Sequence, residues 1–363
     1  MTNPAKTIWF DLDNSPHVPL FAPIIKHYRD SGVAVILTAR DHSQTIELLN
    51  IHGLGGTFEV VGKHYGKSKL NKVRGLIERA MQLRSHVKQA RRNGAEISVA
   101  VSHGSRSMVL AAKWLGIPVV TMYDYEYTET TIFNRFSDRV LVPERIPNDV
   151  LDGIGLSPGK RIKYPGIKEE LYVRNFEPTA GFRGNLLNLS RDLSEWVLAV
   201  VRPPATSANY HNKKGELLFE EILRLLTTTP KVFTVFVPRT NEQGEVIRTL
   251  IGDLDSWASC QILETAVDGL NLAYAADLVI SGGGTMNREA ALLGVPVYSI
   301  FAGKLGSLDA QMESEGLITF VREIADVAKI KLVKRERSAA HVNILTDRVE
   351  TAVKEQINSF LDR

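Results

Sequence analysis

The run Asp277-Leu-Val-Ile-Ser-Gly-Gly-Gly-Thr-Met-Asn-Arg-Glu-Ala-Ala-Leu-Leu-Gly-Val-Pro-Val297 packs the most chemistry into the fewest residues of this chain. An apolar strand, Leu278 to Ile280, ends at Ser281 and leads into Gly282, Gly283 and Gly284, after which a helix opens near Thr285. Glycines without a Cβ let the backbone approach a ligand, and a helix start aims unpaired N–H groups and a positive dipole end at it. The chemistry implied is anion binding, with Arg202 or Arg288 adding charge and no metal required. One turn into the helix, Glu289 is spaced to accept both hydroxyls of a ribose. Gly294 and Pro296 stop the helix in the expected order. A turn in which glycines serve packing alone is the plainer reading, and the wider context weighs against it.

A second set of reactive residues lies near the amino terminus. Asp13-Asn-Ser-Pro-His17 follows an apolar strand and precedes a helix from Pro19 to Arg29. His17 could take a hydroxyl proton, and Asp13 or Asp11 could orient it or serve instead. Ser102-His-Gly-Ser-Arg106 again joins a strand end to a helix start, bringing His103, Ser105 and Arg106. Asp124 and Glu126 follow the next strand, and with Asn14 these residues are expected to line an acceptor side. Arg239, after Val235-Phe-Val-Pro238, is a further candidate, with a surface ion pair as its alternative.

Two families fit only part of the opening Asp11-Leu-Asp13. Haloacid-dehalogenase phosphatases use such a pair and a threonine like Thr38, but they need later carboxylates to hold Mg²⁺. Val99-Ala-Val-Ser-His-Gly-Ser-Arg-Ser-Met108 supplies none. The metal-binding Asp-x-Asp of glycosyltransferase-A enzymes lies well inside a single domain rather than at the end of a first strand.

These loops need parallel sheets to hold them. Short β-rich runs alternate with helical stretches throughout, which predicts an α/β protein of two Rossmann-like doubly wound domains facing a cleft, with ligands at the carboxyl ends of the strands. Strands are expected at 7–11, 33–37, 57–61, 97–101, 118–122 and 139–142, then at 196–201, 232–237, 261–263, 278–280 and 296–300. The proline-rich stretch from Pro143 to Arg183 marks a junction. The expected division is a first domain over 1–175, a second over 176–335, and a helical tail from Arg335 with its 336–363 portion set apart; the resemblance described below makes the first the acceptor side, the second the nucleotide-sugar side, and implies that the tail crosses back to the first.

A chain of 363 residues with 44% hydrophobic and 23% charged residues is ordinary for a globular protein of two domains. The polar Met1 to Lys6 carries no signal, and no apolar run reaches membrane-span length. One cysteine, Cys260, excludes an internal disulfide and suits a reducing cytoplasm. Net charge of +3 makes no case for nucleic acid. Charge is concentrated instead on the predicted helix Lys69 to Arg92, where Lys69, Lys72, Arg74, Arg79, Arg84, Lys88, Arg91 and Arg92 face the lone acid Glu78. Leu70, Val73, Ile77, Ala80 and Val87 form an apolar stripe there. Reversible binding to an anionic membrane, on its cytoplasmic face, is the expectation, with a solvated face as the alternative. Without aromatic residues in the stretch, nucleic acid is not expected.

Thr265-Ala-Val-Asp-Gly-Leu-Asn-Leu-Ala-Tyr-Ala-Ala-Asp277, continued by the glycine loop and its helix, resembles the C-terminal signature of glycosyltransferase-B enzymes. It is similar especially to the peptidoglycan N-acetylglucosaminyltransferase and the non-hydrolysing UDP-N-acetylglucosamine 2-epimerases. In those families the loop binds the diphosphate of a UDP-sugar and the helix glutamate its ribose, which implies these roles for Gly283, Gly284, Thr285 and Glu289. The Asp13-to-His17 loop resembles the acceptor loop of inverting members. The segment from Arg202 to His211 resembles their phosphate-facing loop, without the epimerases' His-Arg-x-Glu-Asn. Over both domains the chain is closest to a prokaryotic family catalogued as a domain of unknown function (number 354), on the Pro-His loop, Thr38-Ala-Arg40, Gly116-Ile-Pro118 and the glycine loop.

The resemblance implies a cytoplasmic glycosyltransferase, without a cofactor, moving sugar from a UDP-sugar to a sugar or lipid-linked acceptor in surface polysaccharide or glycolipid synthesis. Retaining members carry a second glutamate seven residues before the helix glutamate, where this chain has Ser281-Gly-Gly-Gly284. Inversion with His17 or Asp13 as base is therefore expected. A UDP-N-acetyl-sugar 2-epimerase and a non-catalytic nucleotide-sugar-binding protein are the alternatives.

Overall fold

The structure, a computed structural model, describes residues 6–63, 69–187, 194–204, 213–253, 259–337 and 345–362. The chain forms two compact units. Unit 1 comprises Met1–Tyr172, Gly306–Leu308 and Thr346–Arg363, and unit 2 comprises Val173–Leu305 and Asp309–Leu345.

In unit 1, strands β1 (Lys6–Leu12), β2 (Ala34–Asp41), β3 (Glu59–Lys63), β4 (Glu96–His103), β5 (Val119–Met122), β6 (Arg139–Pro143) and β7 (Arg161–Tyr164) form one parallel sheet ordered β3-β2-β1-β4-β5-β6-β7. Helices α1 (His17–Asp30), α2 (Thr45–Ile51), α3 (Lys69–Arg92), α4 (Arg106–Trp114), α5 (Thr131–Phe136), α6 (Asn148–Gly153) and α7 (Glu170–Val173) make the crossovers. Because both faces of a parallel sheet are covered, its strands read as continuous apolar runs. Ile8, Trp9, Phe10 and Leu12 are all fully buried. Leu83 and Val87 of α3 pack with Met108, Ala111 and Ala112 of α4 against Trp9, Val119 and Val140.

In unit 2, α8 (Phe182–Leu187) precedes β8 (Val197–Arg202), α9 (Lys213–Thr228), β9 (Val232–Phe236), α10 (Asn241–Asp253), β10 (Cys260–Ile262), α11 (Gly269–Ala275), β11 (Leu278–Ser281), α12 (Gly284–Leu292), β12 (Val297–Ser299), α13 (Ser307–Ser314, its first two residues counted in unit 1) and β13 (Thr319–Phe320). The sheet is parallel and ordered β10-β9-β8-β11-β12-β13. Ile222 and Leu226 of α9 and Ile247 of α10 close one core with Val197, Ala199 and Val201 of β8 and with Leu278 and Ile280 of β11. Cys260 belongs to that core, and burial pushes its thiol up to about 11, as suits a filler residue.

Two strands escape the sequence pattern, β7 and β13. Both sit at sheet edges, and Arg161-Ile-Lys-Tyr164 alternates charge with apolar residues, as an edge strand does. The tail differs too. Residues Arg335 to Arg337, expected in a helix, are coil that caps unit 2: Arg335 and Arg337 donate to the carbonyls of Tyr274, Ala275 and Ala276 and to Asp277. The last helix, α14 (Arg348–Leu361), belongs to unit 1 and buries Val349, Val353, Ile357 and Phe360.

In each sheet the strand order reverses at one point, β1/β4 in unit 1 and β8/β11 in unit 2. Crossovers leave in opposite directions there, which opens a crevice at the carboxyl ends of the strands where ligands bind in such sheets.

Candidate functional site

Both groups of residues singled out in the sequence fall at these reversal points. In unit 2, Ser281 is in register with Arg202, and Gly282 N–H donates to Arg202 O at 3.0 Å. The first turn of α12 follows directly, with Gly283 as its N-cap and no side chain capping it. Thr285 is half-buried in that turn.

Two of the glycines also make room inside unit 2 itself. None of Gly282, Gly283 and Gly284 has a positive φ. A Cβ on Gly282 would stand 2.5 Å from Pro204 Cα, and one on Gly283 would stand 2.6 Å from Arg239 Nη2. The missing side chains thus make room for the chain's own Pro204 backbone and Arg239 guanidinium. Arg239 is half-buried there. Gln243, buried on α10, fixes the arrangement: its Oε1 accepts from Arg239 N–H at 2.8 Å and its Nε2 donates to Pro204 O at 2.8 Å.

Burial and the like charge of Arg202 push Arg239 down to about 9. Arg202 is itself lowered by burial, with the charge of Glu289 opposing. A guanidinium does not give up its proton in a protein. Two half-buried guanidinium groups within electrostatic range of each other, beside a helix start, make a basic corner that suits an anion. Glu289 is buried on the same helix and within electrostatic range of Arg202.

Two of the expected contributors are occupied otherwise. Arg288 Nε donates to Asp309 Oδ1 at 2.8 Å, so its charge is matched inside unit 2. Ser281 Oγ takes the Gly283 N–H at 3.0 Å and shapes the loop. Residues 205–211, expected to belong to a phosphate-facing loop, lie outside the described residues.

In unit 1 a cavity of about 270 Å³ opens at the reversal point, lined by Asp13, Asn14, His17, Arg40, His103 and Arg106 among others. His17, buried at the first position of α1, accepts from the Asp13 backbone N–H through Nδ1 at 3.2 Å. Its ring centroid is 5.1 Å from that of His103. Burial, then the neighbouring His103 and Lys168, hold His17 well below 6.5. It is therefore neutral, and with Nδ1 accepting, the ring proton resides on Nε2. His17 presents an N–H rather than a lone pair.

The carboxylates divide sharply. Asp11 is fully buried and saturated: Arg79 donates from Nη1 and Nη2 at 2.9 and 2.8 Å, Thr38 at 2.6 Å and Ser105 at 2.5 Å. Ser105, expected on the acceptor side, is the buried N-cap of α4, accepting from Met108 N–H. Glu126, also expected there, is buried and takes the Ser307 N–H at 2.7 Å and its hydroxyl at 2.5 Å. Asp124 accepts from Lys168 Nζ at 2.5 Å, and its other oxygen lies 3.5 Å from His103 Nε2, too poorly aligned for a hydrogen bond. Lys168 also holds Glu169 at 2.5 Å. Asp13 alone is loosely held, 3.5 Å from Arg40 and 3.3 Å from Arg79. Burial raises its pKa, with Arg79 opposing and Asp11 adding.

Lys168 and Glu169 went unnoticed in the sequence because they follow β7, the edge strand that the pattern hides. Pro165-Gly166 directly ahead of them is the one local sign of a strand-end turn, and Gly166 has a φ of 77°.

The sequence profile of a family described as "Protein of unknown function (DUF354)" matches residues 6–360. An uncharacterised protein of Methanocaldococcus jannaschii, MJ0665, is 27% identical over 338 residues, covering 90% of this chain and 92% of its own. Among solved structures, MnaA of S. aureus with UDP superposes with a TM-score of 0.70 at 14% identity, over 98% of this chain and 97% of that one. The Neisseria meningitidis UDP-GlcNAc 2-epimerase bound to UDP-GlcNAc gives 0.70 at 14% identity, over 98% and 100%. Anabaena Alr3699/HepE in complex with UDP-glucose gives 0.63 at 16% identity, over 99% and 100%. At such identities the likeness is one of fold, and the fold is the glycosyltransferase-B type.

Proposed function

We propose that this chain, which belongs to the DUF354 family, is an enzyme that uses a UDP-sugar and transfers its sugar to an acceptor with inversion. The observation that carries the reading is the half-buried pair Arg202 and Arg239 beside the glycine loop, with the buried Glu289 on the helix that follows it. Two cations and a helix N-terminus suit a diphosphate, and a buried carboxylate one turn into the helix suits a ribose. The three neighbours named above were solved with UDP, UDP-GlcNAc or UDP-glucose bound, which supports the same ligand class here.

In this reading Asp13 takes the proton of the acceptor hydroxyl as its oxygen attacks the anomeric carbon. The bond from that carbon to the diphosphate oxygen breaks, and UDP leaves with its charge met by Arg202, Arg239 and the α12 amides. His17 orients the acceptor oxygen through its Nε2–H. Asp13 is favoured over His17 as the base because its carboxylate is loosely held and its pKa raised, whereas the free nitrogen of His17 already carries a proton.

The 2-epimerase reading draws on the solved neighbours that carry that activity. It requires groups that remove and return a proton at C2; Asp11, Asp124 and Glu169 near the unit 1 cavity are engaged at 2.9 Å or less, which leaves that work to the lining carboxylates Asp13 and Glu129. The test is calorimetry with UDP followed by a panel of UDP-sugars incubated in D₂O, with and without acceptors. Transfer releases UDP only with acceptor, whereas epimerisation puts deuterium at C2 without one. No binding of UDP or any UDP-sugar would defeat both readings.

A further inference from the structure

The outer face of α3 carries a second apolar ridge, one that the protein does not bury. Val73, Ile77 and Met81 are four residues apart, so they align along one side of the helix, and they are 60%, 40% and 57% exposed. Trp114, the last residue of α4, is 46% exposed and lines one depression of about 350 Å³ with Met81 and Arg84. This ridge is not the stripe expected from the sequence. Ala80 and Val87 of that stripe do face the sheet, joined by Leu83, while Val73 and Ile77 face outward. Arg79 leaves the basic face altogether, being 1% exposed and paired with Asp11.

What remains around the ridge is strongly basic. Lys72, Arg74, Lys88, Arg91 and Arg92 of α3 and Lys113 of α4 are exposed, and Glu78 is the single acid of the helix. An apolar ridge with a tryptophan, flanked by cations, is what an anionic lipid surface binds: side chains enter the headgroup boundary while the cations meet lipid phosphates. A second copy of the chain fits poorly, since a two-fold contact would set these cations against themselves. A nucleic acid would meet the cations but leave the ridge in water. Among the described residues no helix is long and apolar enough to cross a membrane, so attachment would be at the surface.

We infer that this face of unit 1 docks reversibly on an anionic lipid membrane through Val73, Ile77, Met81 and Trp114, held by the surrounding lysines and arginines. The docking also brings the protein to an acceptor of a particular kind. Arg79 pairs with Asp11 at the carboxyl end of β1, so the ten residues of α3 ahead of it, a run of roughly 15 Å, start from the side of the sheet at which the cavity opens. An acceptor anchored in the lipid therefore fits the cavity, a deepening that rests on the transferase reading, whereas the docking itself does not.

The test is co-sedimentation of the intact protein with phosphatidylglycerol–phosphatidylcholine vesicles and with pure phosphatidylcholine vesicles, at ~0.1 M and ~0.5 M salt. Pelleting is expected with the anionic vesicles, weakening at the higher salt. Lys72→Gln, Arg74→Gln and Lys88→Gln should each weaken it about fivefold, and the triple variant roughly a hundredfold. Val73→Ser with Met81→Ser should weaken it with every charge retained. A blue shift of fluorescence on binding should be lost in Trp114→Phe. All these side chains are exposed, so thermal stability should stay parental, and UDP affinity, a property of unit 2, should not change. Absence of pelleting with anionic vesicles at either salt, or variants that pellet like the parent, would overturn the inference. So would a Met81→Ser variant whose only effect is to dissociate an oligomer.

Discussion

Asp11 and Asp13 stand two residues apart and are held in opposite ways, and that difference decides which of them can react. Asp11 accepts four short bonds from side chains, whereas Asp13 meets only two distant guanidinium groups. Asp13→Asn should lower kcat by about 10² to 10⁴ with UDP affinity retained, measured by steady-state kinetics and calorimetry. Because the base must be ionised and burial raises its pKa, kcat/KM should rise with pH through a midpoint above the usual carboxylate value, and that limb should vanish in the variant. His17 gives the opposite pH signature, in stability. Its folded pKa lies below the unfolded 6.5, so above 6.5 it contributes no pH dependence. Below 6.5 only the unfolded chain takes up the proton, and stability falls as the pH drops, by up to about 1.4 kcal/mol per pH unit. Urea unfolding of His17→Gln should show a flatter acid limb than the parent. In unit 2, Glu289→Ala should weaken UDP binding about a hundredfold by calorimetry, the worth of two charge-assisted hydrogen bonds to a ribose. The residue types at these positions were legible in the sequence, but their freedom was not. Nothing local to Asp11 announces that Arg79, 68 residues away, neutralises it, and Ser105 reads identically as a ligand contact or a cap.

At the level of elements, the Gly283–Arg239 contact and the Arg79–Asp11 pair make separable predictions. Gly283 has a φ of −124°, which any residue adopts, so alanine there should leave the melting temperature near parental. Its Cβ would nevertheless displace the Arg239 guanidinium from 2.6 Å, and UDP affinity should fall at least about tenfold. Arg79→Ala should act the other way. It leaves Asp11 buried without its cation and should cost about 3–5 kcal/mol in denaturant unfolding. The sequence pattern located all the described strands but two because parallel strands covered on both faces are long and apolar. It missed β7 and β13, which are short and at edges, and with β7 went Lys168 and Glu169. It also located the glycine loop, from local residues alone. Only the fold brings Pro204 and Arg239 to where a Cβ would have been.

For the molecule as a whole, the chain's path has a cost. Unit 1 is assembled from segments at both ends of the sequence, with α14 packed on β4 and β7 and Tyr28 donating to Asn358 Oδ1 at 2.8 Å. A chain truncated before Thr346 would expose the apolar faces that Val349, Val353, Ile357 and Phe360 cover. Hydrogen exchange should then quicken in β4 and β7 while β8 and β11 stay protected, because unit 2 has its own core. The doubly wound architecture of both units was evident from the alternation of strand and helix. Which unit takes the last helix was not, since the pattern of α14 states which face is apolar and not what it covers.

Helix α3 has two apolar ridges about 100° apart, one through Leu76, Ala80, Leu83 and Val87 and one through Val73, Ile77 and Met81. Hydrophobicity by itself leaves the rotational phase of such a helix nearly degenerate, since either ridge satisfies the sheet. The Arg79–Asp11 pair lifts that degeneracy, because only one phase brings the guanidinium to the end of β1. An isosteric apolar replacement of both partners, Arg79→Met with Asp11→Leu, should therefore lose less stability than Arg79→Ala alone while its α3 resonances broaden from exchange between the two phases. The ion pair would then be a phase lock rather than a source of stability.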